Sequence, residues 1–352
     1  MERGLVSVIV PTRNRAKLLR ESLSGAQLQS YDRLEVLVMD DASEDETEEA
    51  VRKLAAIDRR IRYRRMKTRM GACHARNLAF EQCRGEFVQF LDSDDLLHPE
   101  KFRVQIELLE ANPDCGLAVC QTGLFRDRPG DRPWIWNRLE GGDPLMRFVC
   151  HDNVWVTVGP LWRRSALERV GPWDESLEMS QDYEHATRAL LLGVRPLLHR
   201  HLLAYYRIHD GPTIGNTTLR IRDATHLKVF RGFWKLILES GRHEEFREDM
   251  LSNYLWVAHR AARSPNYPLA REALEEAISL VRDPELSRDL EEISDALRTL
   301  ESTKRVDALF RSLDYGAATR ERWWASSDEP VLPIPAGRRY GRARSPAPTA
   351  SE

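Results

Sequence analysis

Three carboxylates, Asp92, Asp94 and Asp95, stand within four positions directly after the apolar run Phe87-Val88-Gln89-Phe90-Leu91. Val, Phe and Leu favour a pleated strand, and a run of this length matches a buried one. Unpaired acids cannot remain inside a sheet, so the strand must deliver them to its carboxyl edge. In open α/β sheets that edge is where ligands bind. Asp-x-Asp placed there offers hard oxygen ligands to a divalent cation and leaves positions for water and phosphate. A solvated turn or a helix cap is the plain alternative for an acidic run. An EF-hand loop opening at Asp92 is excluded, because Leu97 stands where its glycine is needed and Arg103 where its closing Glu is needed.

Neighbouring segments bring further chemistry to the same edge. A strand over 5–10 runs into the loop Pro11-Thr12-Arg13-Asn14-Arg15, followed by a helix with Leu18, Leu19, Leu23 and Ala26 on one face. A strand over 34–39 ends in Asp40-Asp41, and Ser43-Glu44-Asp45-Glu46 then reads as a capping box with Ser43 as N-cap. A third strand over 61–66 leads to a glycine hinge at Gly71 and a helix carrying His74, Arg76 and Asn77. After the acidic turn come a helix over 99–111 and a strand over 117–121. Strand and helix alternating at this spacing predict right-handed crossovers and a Rossmann-like, mostly parallel sheet with flanking helices. Neither GxGxxG nor GxxxxGK[ST] occurs, so a nucleotide diphosphate would have to be met by a cation and by side chains. Residues 123–150 read as a loop-rich crossover, and 157–167 as a strand passing into a short helix. Gln181-Asp182 starts another helix, and a short strand over 203–207 ends at Ile208-His209. Large aromatics such as Trp134, Trp136, Trp155 and Trp162 read as core before they read as sugar platforms.

With 31% charged and 42% hydrophobic residues, the chain has the composition of a soluble globular protein. A net charge of −2 gives no reason to expect nucleic acid as a partner. The apolar runs are strand-sized, so no transmembrane segment is expected, and the first strand begins too early for a signal peptide. Five cysteines, at 73, 83, 115, 120 and 150, form an odd set without metal-ligand spacing and suit a reducing cytoplasm. Residues 219–312 read as helical throughout, while 326–352 are Pro-, Ala- and Arg-rich and read as a disordered tail. The four arginines of that tail leave a peripheral contact with the inner face of a membrane open. The expected organisation is an α/β unit over 1–215, an all-helical region over 216–325, and the tail.

Taken together and in order, these segments resemble the family 2 glycosyltransferases of GT-A fold, over residues 5–215. Val-Ser-Val-Ile-Val-Pro-Thr-Arg-Asn-Arg over 6–15 resembles the opening strand and loop of that family, and Asp40-Asp41-Ala42-Ser43-Glu44-Asp45 its nucleotide-binding turn. Gly71 through Ala75-Arg76-Asn77 resembles the phosphate-side helix, and Leu91-Asp92-Ser93-Asp94-Asp95 the metal motif. Gly171-Pro172-Trp173-Asp174-Glu175 with Gln181-Asp182-Tyr183-Glu184 resembles the acceptor-side motif, and Tyr206-Arg207-Ile208-His209 the segment that closes the site. Gln181 departs from the pattern, which more often has Glu there.

The resemblance implies an inverting hexosyltransferase-like enzyme that moves a sugar from a nucleotide diphosphate sugar to a hydroxyl of a sugar, lipid-linked or other acceptor. Polysaccharide, glycolipid or glycoconjugate synthesis would be its setting. In those roles Asp94 and Asp92 hold Mg²⁺ or Mn²⁺, and Asp41 accepts a ring N–H of the base. Pro11, Thr12, Arg13, Asn14 and Ser93 shape the nucleotide-sugar wall, and Arg76 and His209 add charge-assisted contacts. Asp182 takes the proton of the attacking hydroxyl. A nucleotidyltransferase acting on a sugar phosphate is a second reading, weakened by the absence of Gly from 11–15. A degenerate transferase serving as a binding scaffold is a third, and would be favoured by loss of Asp94 or Asp182, both of which are present.

Overall fold

The computed structural model describes residues 1–136, 138–209, 219–298 and 310. Strands β1 (Glu2–Thr12), β2 (Leu34–Asp40), β3 (Ile61–Arg65) and β4 (Gly85–Phe90) pair in the parallel order β3-β2-β1-β4. Every residue of β2 is buried, and β1 is buried without interruption from Leu5 to Thr12, as in a strand covered by helices on both faces. The covering helices are α1 (Ala16–Gln27), α2 (Thr47–Ile57) and α3 (Ala72–Gln82). Thr12 pairs with Asp40 and Ile9 with Phe90, so the carboxyl ends of β1, β2 and β4 lie side by side.

Beyond β4 the sheet becomes mixed. The chain continues through β5 (Leu96–Leu97), α4 (Lys101–Ala111), β6 (Leu117–Phe125), α5 (Pro144–Val149), β7 (Pro160–Arg163), α6 (Arg164–Val170), α7 (Gln181–Leu191) and β8 (Pro196–Arg207). β7 lies antiparallel between β4 and β6, β6 and β8 are parallel, and β5 closes the eight-stranded sheet antiparallel to β8. The segment over 117–121 is thus a strand as expected, and its neighbours are β7 and β8. Periodicity identifies strands without naming their partners, and the two residues of β5 are too few to show a pattern.

The capping box expected at Ser43 does not form. Helix α2 starts only at Thr47, with Glu46 at its N-cap and no side-chain capping bond. The Ser43 hydroxyl instead accepts from the Asn14 backbone N–H at 2.9 Å. Asp45 takes over at the turn, accepting from Thr47 N at 3.0 Å and Ala16 N at 3.3 Å. Long-range bonds between two strand-end loops have displaced a local cap.

Helices α8 (Leu219–Glu239), α9 (His243–Arg263), α10 (Tyr267–Leu280) and α11 (Pro284–Arg298) follow. Glu285 N donates to Asp283 Oδ1 at 2.9 Å, the expected cap with Pro284 at the first helical position. One apolar cluster runs from Ile9, Val88 and Phe90 of the sheet through Tyr183 of α7 to Phe230, Phe233 and Tyr254 of α8 and α9. The helices therefore share a core with one face of the sheet. A second cluster, with Cys115 and Cys120, fills the other face. Trp155 and Trp162 are core residues of the first cluster. The junction expected near 215 and the tail over 326–352 lie outside the described residues.

Where β1 and β4 approach, Gly85 N donates to Ser7 Oγ at 2.8 Å, and a Cβ on Gly85 would meet Ser7 Oγ at 2.6 Å and Leu5 O at 2.7 Å. Gly85→Ala should therefore destabilise the protein by about 1–3 kcal/mol through overpacking. Urea denaturation measures this, and an unchanged midpoint would show that the two strands have slack at this point.

Candidate active site

The turn after β4 sets the acids. Leu91 N donates to Ile9 O at 3.0 Å, and Asp95 N to Asp92 O at 3.1 Å, so the chain folds back sharply as it leaves the sheet. Ser22 of α1 donates to the same Asp92 carbonyl at 3.2 Å. Ser93 is buried in this turn. The Asp94 carboxylate pairs through Oδ2 with the Arg15 guanidinium, and His209 Nε2 lies 3.0 Å from the same oxygen. Burial pushes the Asp94 carboxyl up, but His209 and Arg15 outweigh it and hold the group below the usual carboxylate range. Asp95 points inward, accepts from Arg207 N at 3.0 Å, and is raised well above that range by burial and by Asp94 and Asp92. The Arg207 guanidinium donates to Asp94 O at 2.8 Å and Glu21 Oε2 at 2.6 Å, and lies 4.4 Å over the Phe125 ring. β8 is thereby clamped to the acidic turn.

Arg76 of α3 serves the other acid. Its Nη2 donates to Asp92 Oδ1 at 2.7 Å, its Nη1 to Gln181 Oε1 at 3.0 Å, and its guanidinium stands 4.5 Å over Trp173. Gln181 Nε2 donates to Leu177 O at 2.8 Å, which turns the amide oxygen toward Arg76. A neutral amide at this position accepts the hydrogen bond without a second negative charge, so Asp92 supplies the anionic partner. The residue beside it, Asp182, keeps partial exposure at the start of α7. Burial and the nearby Asp92 carboxylate raise Asp182 above the ordinary range, against the Tyr183 N–H and Arg76. Trp173 stacks on His185 with ring centroids 4.2 Å apart and meets Phe90 edge-on at 5.0 Å. Asn77 ties the segment over 171–175 to α3, donating to Trp173 O at 3.0 Å and accepting from Trp173 N at 2.9 Å.

The strand ends of β1 and β2 form a neighbouring wall. Asp41 accepts from Met70 N at 2.6 Å and from Gly71 N at 3.0 Å, fixing the approach to α3. Asp41 N donates to Thr12 O at 2.8 Å. Asn14 sits at φ 48° and accepts from Glu44 N at 2.8 Å through its side chain. Pro11 and Thr12 are buried, and Thr12 Oγ1 has no partner among the described residues. Arg13 is half-buried beside them.

Of the residues expected at the site, Asp92, Asp94, Arg76, His209 and Asp182 are joined by direct contacts or by electrostatic coupling. Pro11, Thr12, Asn14 and Asp41 are joined in the wall. Arg15, Asp95, Arg207, Trp173 and Asn77 also organise the site and were not singled out for it. All five stand within motifs already recognised, but Arg207 and Trp173 reveal their partners only through the fold.

Two carboxylates with an imidazole beside one of them suit a hard or borderline divalent cation, with the diphosphate and water to complete its shell. Only one oxygen of Asp92 is bonded to Arg76, and Arg15 and His209 meet Asp94 at one oxygen. Among the described residues no group of three or more His, Cys, Asp or Glu side chains is gathered as a coordination sphere. The chain's own residues fit part of a shell and no more.

A parallel half-sheet whose strand ends carry acids, joined to a mixed half-sheet with Asp182 and His209 brought to the same edge, is the GT-A arrangement. Residues 7–171 match the Glycosyl transferase family 2 model, and the chain carries a glycosyltransferase domain of that family. It is 28% identical over 251 residues to an uncharacterised glycosyltransferase of Rickettsia typhi, a match covering 68% of this chain and 74% of the relative. It is 29% identical over 229 residues to a chondroitin synthase of Escherichia coli, covering 64% of this chain but only 32% of that longer protein. Among solved structures, S. aureus TarS in complex with UDP-GlcNAc superposes with a TM-score of 0.64 at 19% identity, over 88% of this chain and 91% of that one. The mannosyltransferase PcManGT from Pyrobaculum calidifontis, in complex with GDP-Man and Mn²⁺, gives 0.50 at 22% identity, over 93% and 89%. These likenesses establish the fold. No helix among the described residues is long and apolar enough to cross a membrane.

Arg76→Met should test the buried pair directly. It strands Asp92 and the Gln181 oxygen, at a cost of about 2–4 kcal/mol, toward the lower end for buried pairs because Asp92 keeps 31% exposure. Denaturant titration reads the loss, and a change below about 0.5 kcal/mol would show the pair to be dispensable for folding.

Proposed function

We propose that the chain catalyses metal-dependent, inverting transfer of a sugar from a nucleotide diphosphate sugar to an acceptor hydroxyl. The observation that carries this reading is the meeting of Asp92 and Asp94 at the end of β4 with a partly exposed Asp182 whose carboxyl is raised. Asp94 and Asp92, with His209 adjacent, would hold Mg²⁺ or Mn²⁺, and such a cation supplies Lewis-acid stabilisation to the departing diphosphate. Arg76 steadies Asp92 and adds positive charge on the phosphate side. Asp41 accepts an N–H of the base through the lone pairs its two backbone bonds leave, and the wall of Pro11, Thr12, Arg13 and Asn14 lies beside it. TarS is seen with UDP-GlcNAc and PcManGT with GDP-Man; uracil and guanine both present such an N–H, so this contact leaves the base open.

Asp182 receives the proton as the acceptor oxygen attacks the anomeric carbon from the face opposite the diphosphate. Its raised affinity for protons suits that work. A single displacement needs no enzyme nucleophile and inverts the anomeric centre. Residues 1–215 would carry donor and chemistry, and helices α8 to α11 would support α7 and the acceptor side. The acceptor would be a growing polysaccharide, a glycolipid or another glycoconjugate, met in the cytoplasm or at the inner face of the membrane.

A thermal-shift panel of UDP, GDP and dTDP with and without Mn²⁺ should raise the melting temperature for one nucleotide, and more so with metal. Asp94→Ala should remove the metal-dependent part, and a variant with unchanged metal dependence by calorimetry would defeat this assignment. Asp182→Asn should leave donor binding near wild type while lowering kcat and kcat/KM alike by about a hundredfold or more. The base must be deprotonated, and its carboxyl is raised in the folded enzyme. Wild-type kcat/KM should therefore fall as pH drops through a value above the ordinary carboxylate range. Near-normal turnover by the Asn variant, or an acid limb no higher than that of an ordinary carboxylate, would remove Asp182 from the mechanism.

A further inference from the structure

Two arginines reach carboxylates of the acidic turn through their guanidinium groups, and they are held very differently. Arg76 is buried to 4% exposure, bridges Asp92 and Gln181, and packs on Trp173. It cannot leave without breaking three contacts at once. Arg15 retains 21% exposure and reaches Asp94, itself at 17%, from the loop ahead of α1. Its backbone is anchored independently, with Arg15 N donating to Thr47 Oγ1 at 3.2 Å and Asn14 N to Ser43 Oγ at 2.9 Å. The loop is therefore held by bonds other than the guanidinium's contact with Asp94.

The position of that side chain is specific. Arg15 Nη1 bonds Asp94 Oδ2 and stands 3.4 Å from His209 Nε2, while His209 Nε2 is 3.0 Å from the same Oδ2. One cationic nitrogen thus lies against both groups that would take a divalent cation at this end of the site. Two cations cannot share that oxygen closely, because their repulsion in a partly buried setting is weakly screened. We propose that the Arg15 guanidinium is a placeholder for the donor's cation: it holds Asp94 and His209 in position when no donor is bound, and is displaced toward the diphosphate when the metal–nucleotide complex enters. This rests on the metal reading of the site and adds a moving residue to it. The displaced guanidinium, always charged and able to bind phosphate oxygens in pairs, gains a new anionic partner as it loses the old one. Metal alone would have no such exchange to offer, so the enzyme would take metal weakly until a nucleotide arrives.

The test is the affinity of Mn²⁺ alone, from the loss of its free EPR signal, for wild type, Arg15→Ala and Arg15→Gln. Both variants should bind nucleotide-free Mn²⁺ about tenfold or more tightly than wild type, because no ion pair has to be broken. With UDP or GDP present the advantage should vanish or reverse, since the variants lack the phosphate contact. Variants that melt like wild type but bind Mn²⁺ alone equally or more weakly would overturn the proposal and leave the metal reading intact. Absence of Mn²⁺ binding by every protein, with or without nucleotide, would overturn both. Should neither variant fold, the Arg15 side-chain ¹⁵N resonance of wild type, titrated with Mg²⁺ and nucleotide, decides the matter. It should move together with the His209 ring signals; a shift of His209 with Arg15 unmoved would overturn displacement.

Discussion

Carboxylates crowded at the end of a buried strand must find counter-charge, and much of this molecule is arranged around supplying it. Asp92, Asp94 and Asp95 leave β4 in a single turn, and each receives a different answer. Asp92 takes a buried arginine, Asp94 takes an arginine and a histidine, and Asp95 is pushed toward its protonated form behind a backbone N–H. These answers come from α3, the loop ahead of α1, and the end of β8, which are far apart in the chain. Neutralising one turn therefore draws three distant parts of the domain to it.

Helix α3 ties the turn after β2, the acidic turn and the segment over 171–182 together. Its entrance is pinned by Asp41, its Arg76 reaches Asp92 and Gln181, and its Asn77 holds the backbone of Trp173. A shift of α3 would move the turn after β2, the acidic turn and the start of α7 at once. That geometry links the group proposed to handle the proton with those proposed to hold the donor. At position 181 the amide oxygen of Gln181 keeps Arg76 in place while Asp92 balances its charge.

The C-terminal helices bear on the same site through packing. Tyr183, next to Asp182, meets Phe233 of α8 at 5.5 Å, and Ser180 lies 3.4 Å from His226 Nε2. His151 and His226 are both lowered by burial and by nearby cationic groups, so this junction is built from neutral imidazoles. α7 is thus held between the sheet and α8, and a continuous core makes the helices part of the scaffold that aims Asp182.

By itself the sequence determined the parallel half of the sheet, the acidic turn, and the order of the motifs that became the family match. Those features are local: an apolar run, a composition break, a helix-opening glycine at Gly71 and acids at strand ends each declare themselves within a few residues. The tertiary structure decided what those acids are paired with. The antiparallel insertion of β7, the two-residue β5, the loss of the Ser43 cap to Asn14, and the meeting of Arg15, Asp94 and His209 all depend on long-range contacts. Arg76 could have been an ordinary helix-surface residue from its sequence, and only the approach of Trp173 and Gln181 buries it. Periodicity and propensity act along the chain, whereas counter-charge and burial are settled across it, by whichever group the fold brings within a few ångströms.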